Sequence, residues 1–237
     1  MKLLRKLFFS SLLLTASQPL FAVSINWVDW TTSSTDQVVG TGSSNAEIID
    51  VSYNGKYIGA QTDGGTNYWN PSDSYTNNAV VDNAPPASDI IRITGGPNAL
   101  SHSITFSEPV VNPIMAILSL GQPSITVTYD FGDEEFSILS SGAGFWGGDP
   151  NGSLFEVTPS ILTGIEGHGI IQFEGVYSSL TWDVPTFENW HGFQIGFEQL
   201  ESQIPPSNVP VPTAVWLFGS GLLGLLSFRK IGSGQKA

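Results

Sequence analysis

The chain has 237 residues, 21 acidic and 8 basic, with a formal net charge of −13 and no cysteine. Without cysteine there is no thiol nucleophile, thiolate metal site or disulfide, so the fold rests on burial, which a chain of this length can supply. All the acidic residues fall between Asp29 and Glu201, opposed there by Lys56 and Arg92 alone, and such a surface repels nucleic acid and excludes it as a partner.

The first 22 residues have the layout of a signal peptide: basic Lys2, Arg5 and Lys6, an apolar run from Leu7 to Leu14, then Pro19 and a small Ala22. The apolar run is too short to remain as a membrane span, so export through a translocon and removal by signal peptidase are expected.

Residues 23–202 read as strands and turns. Glu47 to Tyr53 and Lys56 to Ala60 flank Asn54-Gly55, a dipeptide suited to the positive φ of a tight hairpin. Ser124 to Tyr129 and Glu135 to Leu139 flank Asp130-Phe131-Gly132-Asp133, a second expected hairpin in which Ile125, Val127 and Tyr129 share one face. Alternation recurs at Ile104 to Phe106, Ile170 to Phe173, Ser179 to Trp182 and Phe193 to Glu198, with Trp182 expected in the core. Period two without a helical stripe predicts an all-β, antiparallel β-sandwich or jelly-roll-like ectodomain of about ten to twelve strands. Thr31 to Ser44 is polar and rich in Ser, Thr and Gly, and Thr62 to Ala87 reads as a long loop of the kind that is functional or mobile.

Candidate chemistry in this domain is sparse. Glu166 with His168 and Glu188 with His191 place carboxylates beside imidazoles, but no metalloprotease spacing accompanies them, and structural histidines are the simpler reading. Asp130, Asp133, Glu134 and Glu135 read as a solvated turn. Calcium is a weak possibility at Asp63 and Asn67 or at Asp149 and Asn151, neither of which has the EF-hand order; no other cofactor is expected. The aromatics Tyr68, Trp69 and Trp146 are the better binding clue, because rings on a rigid β scaffold stack on sugars. The competing reading is that they plug the ends of the sandwich.

Gln203 to Pro212 reads as an extended linker, since its prolines oppose helix. Val209 to Phe228 carries no charge and would span about 30 Å as a helix, a bilayer width. The prolines delay the helix to residues 213–228, and the basic tail 229–237 is expected in the cytoplasm with the acidic domain outside. Ser220 and Gly224 form a small-xxx-small pair that permits close helix approach, on the same face as Trp216.

The order Pro210, Pro212, Trp216-Leu217-Phe218-Gly219-Ser220-Gly221, Gly224 and then Arg229-Lys230 resembles the PEP-CTERM sorting signal, in its VPLPAAxWLFGSGLLGL-like form. Val211 stands where that family has a central Glu. The resemblance covers only about the last tenth of the chain and implies an exosortase-type membrane protease as partner, with this chain as its substrate. It further implies anchoring at the inner membrane, then display at the cell surface or in the extracellular matrix after C-terminal processing, with a link to exopolysaccharide and biofilm. The resulting expectation is a non-enzymatic exported surface or matrix protein. The alternatives are a carbohydrate-binding module acting through aromatic loops and a secreted glycoside hydrolase using paired carboxylates.

Overall fold

The structure is a computed structural model that describes residues 22–77 and 80–205. The expected signal peptide, most of the Pro-rich linker, the membrane helix with its sorting signal and the basic tail lie outside the described residues. Among the described residues no helix is long and apolar enough to cross a membrane, and the helical pieces are short 3-10 turns at Ser72–Tyr75 and Glu201–Gln203.

The strands, in chain order, are β1 (Asn26–Trp27), β2 (Asp29–Ser34), β3 (Gln37–Ser44), β4 (Glu47–Asn54), β5 (Gly59–Gln61), β6 (Ile90–Ile93), β7 (Ser101–Val111) and β8 (Ile114–Leu120). There follow β9 (Val127–Asp130), β10 (Ser137–Ser141), β11 (Leu154–Thr158), β12 (Ile161–Gly164), β13 (Gly167–Gln172), β14 (Val176–Asp183), β15 (His191–Phe197) and β16 (Gln199–Leu200). They form two antiparallel sheets in a sandwich-like arrangement. The seven-stranded sheet runs β10-β13-β8-β15-β6-β5 with β1 added on β15; the nine-stranded sheet runs β11-β12-β9-β14-β7-β4-β3-β2 with β16 added on β7.

Period-two side chains build the inner core. Tyr53, Ile104, Phe106, Leu180 and Trp182 from the larger sheet pack with Met115, Ile117, Phe193, Ile195 and Phe197 from the smaller one. The alternate residues of β8 (Ile114, Ala116 and Leu118), with Ile90 and Ile170, point the other way, into a second core closed by Ile25, Trp69, Tyr75 and Val81. Both faces of the smaller sheet are therefore covered, which is why β8 and β15 are buried at every position. The segment Thr62 to Ala87, expected as a functional or mobile loop, supplies much of that cover. Trp69 meets Tyr75 edge-on at 5.0 Å, and its indole N–H donates to the Asp89 carbonyl at 3.1 Å.

Two expected hairpins are instead corners between the sheets. Asn54-Gly55 leads from β4 in the larger sheet to β5 in the smaller, because both edges of β4 are already taken by β3 and β7. The chain through Asp130 to Asp133 likewise passes from β9 in the larger sheet to β10 in the smaller. Tight turns fall elsewhere, as at Asn45-Ala46 between β3 and β4, where both residues have positive φ of 49° and 68°. The polar stretch Thr31 to Ser44 proves to be strand: the inward positions of β3 are Val38, Gly40, Gly42 and Ser44, too small to register as an apolar face. At Gly42 a Cβ would press on the Phe197 ring, so smallness there makes room for a large core residue opposite.

Gln203, the first residue of the expected linker, belongs to the fold. Its side chain takes the Ser44 hydroxyl at 2.7 Å and donates to the Ser44 carbonyl at 2.9 Å, and the compact unit closes there.

Candidate functional site

A tight turn presents an exposed aromatic pair near a cleft. Gly144 and Gly147 exchange backbone hydrogen bonds at 2.7 and 2.9 Å, which leaves Phe145 and Trp146 at the tip, 41 % and 52 % exposed. The glycines are required: a Cβ on Gly144 would run into the His168 ring, and Gly147 sits at φ 94°. Tyr68, from the long covering segment, packs against Phe145 at 5.2 Å and Trp146 at 5.7 Å. Trp190, just ahead of β15, meets Trp146 edge-on at 5.0 Å and Tyr68 at 5.7 Å. Four rings from three segments thus brace one another, mostly in the edge-to-face arrangement that the ring quadrupole favours, with Tyr68 tilted at 37° to Trp146.

Trp146 and Trp190 line a cleft of about 500 Å³ together with Ser119, Gln122, Glu166, Glu188 and Asn189. Its polar wall comes from a β-bulge. The β13–β8 register shifts between Gly167 and Gly169, so that β8 carries one extra residue there, and Ser119 takes φ 58°. The Ser119 N–H donates to His168 Nδ1 at 3.1 Å and its hydroxyl to Glu166 Oε2 at 2.9 Å. Tyr75 O–H reaches the same His168 Nδ1 at 3.4 Å. With donors on Nδ1, the imidazole proton resides on Nε2, which has no protein partner among the described residues. Burial holds His168 down to about 4, so the ring is neutral near pH 7. On the next wall, Glu188 Oε1 accepts the Gly121 N–H at 2.9 Å and lies 2.5 Å from His191 Nδ1. Glu188 and His191 are fully buried, so this pair fixes the loop that carries Asn189 and Trp190.

A second hollow of about 430 Å³ includes Asn54, His102, Asp130, Trp182 and Asp183. Its histidine is saturated: Nδ1 accepts the Tyr53 hydroxyl at 2.8 Å, Nε2 donates to the Ala99 carbonyl at 3.0 Å, and the ring stacks on Trp182 at 5.4 Å. Trp182 is a core residue, as expected, and offers no exposed ring face here.

The sequence grouped Tyr68, Trp69 and Trp146 as sugar contacts. Tyr68 and Trp146 do come together, whereas Trp69 is 2 % exposed and belongs to the core, a correction that follows from its anchoring of the covering segment. Trp190 was missed; the run Glu188 to His191 drew attention to its carboxylate and imidazole, and the intervening ring was the available signal. The histidines of the two Glu/His pairs lie in strands β13 and β15, and the carboxylate of each pair lines the cleft. The calcium candidates are local turns: Asn67 Oδ1 accepts the Trp69 N–H at 3.1 Å, and Asp149 Oδ1 accepts from Asn151 at 2.9 and 3.0 Å, while Asp63 is exposed. Among the described residues no three His, Cys, Asp or Glu side chains group as a metal site. Asp130 turns back on its own loop, accepting the Gly132 N–H at 2.9 Å.

No family model matches the chain, and neither a curated protein nor a solved structure does.

Proposed function

We propose that this is an exported, membrane-sorted surface protein whose β-sandwich binds a glycan at the Trp146–Trp190 cleft. The observation that carries the reading is Trp146: a large ring held half out of the protein on a glycine-pinned turn, beside a cleft lined with carboxylate and amide groups. A sugar needs both parts, an aromatic plane for its C–H face and acceptors for its hydroxyls, and a preformed site limits the ordering cost of binding. Passage of the chain between the two sheets from β8 through β15 supports the finer, jelly-roll-like description. Export, the membrane helix of residues 213–228 and processing by an exosortase-type protease rest on the terminal sequences, and they would deliver the cleft to the exopolysaccharide outside the cell.

The role is binding rather than hydrolysis. Glu188 Oε1 already accepts the Gly121 N–H and is buried against His191, an arrangement that fixes a loop better than it serves a proton-transferring acid. The test is a glycan array probed with the protein and with Trp146→Ala. Retained binding of a defined oligosaccharide by the wild type and its loss in the variant is the expected outcome; identical profiles would remove the cleft from the account.

A further inference from the structure

We propose that the glycan taken by the Trp146–Trp190 cleft carries a free, protonated amine, as in an oligosaccharide of deacetylated hexosamine units; this rests on the glycan-binding reading above.

The charge of the cleft carries the inference. Glu166 and Glu188 line it and no basic residue does, Lys56 and Arg92 being the only Lys or Arg among the described residues. A uronic-acid or sulfated sugar would bring its anion against these carboxylates without a counter-charge. An ammonium group meets the opposite situation. Glu166 spends Oε2 on the Ser119 hydroxyl and is only half-buried, so its other oxygen remains open to a ligand. The faces of Trp146 and Trp190 add the attraction that indole rings exert on cations. Acetylation of the amine would replace the charge by a neutral amide and forfeit both the carboxylate and the ring attraction.

The experiment titrates the intact chain, purified in neutral detergent, with three trisaccharides at mildly acidic pH and moderate salt: glucosamine, N-acetylglucosamine and a uronic acid. The glucosamine trimer should bind about tenfold more tightly than the acetylated one, and the uronate should not bind. Glu166→Gln should remove most of the difference between the two hexosamine trimers. Asp133→Asn, which removes a charge from a remote turn, should preserve it. Equal affinity for the two hexosamines overturns the inference, and so does a preference that Asp133→Asn weakens as much as Glu166→Gln, since net charge would then explain it. If the acetylated trimer binds through Trp146 and the amine adds nothing, the glycan reading stands and the amine falls. If neither trimer binds, both fall.

Discussion

At the scale of single residues, the two tryptophans that look alike in the sequence have opposite duties. Trp69 is buried against Tyr75 and tied to the Asp89 carbonyl, so Trp69→Ala should cost about 3–5 kcal/mol in a denaturant titration. Trp146 is half exposed and braced by three rings, so Trp146→Ala should cost about 1 kcal/mol, well short of Trp69→Ala, while abolishing glycan binding. Reversal of that pattern would return Trp146 to the role of a packing residue. The buried histidines give a second prediction. His102 and His168 ordinarily titrate near 6.5, and burial holds both down to about 4 in the folded protein. The unfolded chain therefore binds more protons in this interval, and the stability these rings contribute is complete above pH 6.5 and is lost as the pH falls toward 4. Protonation of the many carboxylates acts over overlapping pH, so the test is differential: the melting temperature of His102→Gln should fall less between pH 6.5 and 4 than that of the wild type. Parallel curves would contradict it.

At the scale of elements, the legible and illegible parts of the fold separate on one physical line. Strands with large alternating side chains, such as β9, β14 and β15, announced themselves, because their inward residues are Val127 and Tyr129, Leu180 and Trp182, and Phe193, Ile195 and Phe197. Strand β3 did not, since Gly40, Gly42 and Ser44 stand where apolar residues were sought. Asn54-Gly55 misled because a local turn preference is weaker than the long-range ladders that β3 and β7 make with β4. Half of the aromatic site was similarly visible. Tyr68 and Trp146 are ring residues in polar, glycine-containing surroundings, but their meeting with Trp190 depends on a segment folding across a sheet, which no local pattern encodes. The turn itself offers a prediction. Gly144→Ala places a Cβ against the His168 ring, so it should lower the melting temperature and weaken glycan binding together. Unchanged binding would mean that the turn does not position Trp146.

At the scale of the whole molecule, 21 acidic residues against Lys56 and Arg92 make the β-sandwich domain strongly self-repelling. Its melting temperature should rise from low to moderate salt as the Debye length shrinks, and a flat response would show that the charges are too dispersed to matter. The same excess of acid suits the proposed role, in which the domain meets its partner at one cleft rather than over its whole surface. The central claim is that this partner is a glycan held by Trp146 and Trp190. The chain has seven tryptophans, and each indole N–H gives its own signal in a nitrogen–proton correlation spectrum. On titration with an oligosaccharide that the array selects, the account predicts that the Trp146 and Trp190 signals shift in a saturable way while those of the core residues Trp30, Trp69 and Trp182 stay in place. Saturable binding that leaves Trp146 and Trp190 unmoved would contradict it.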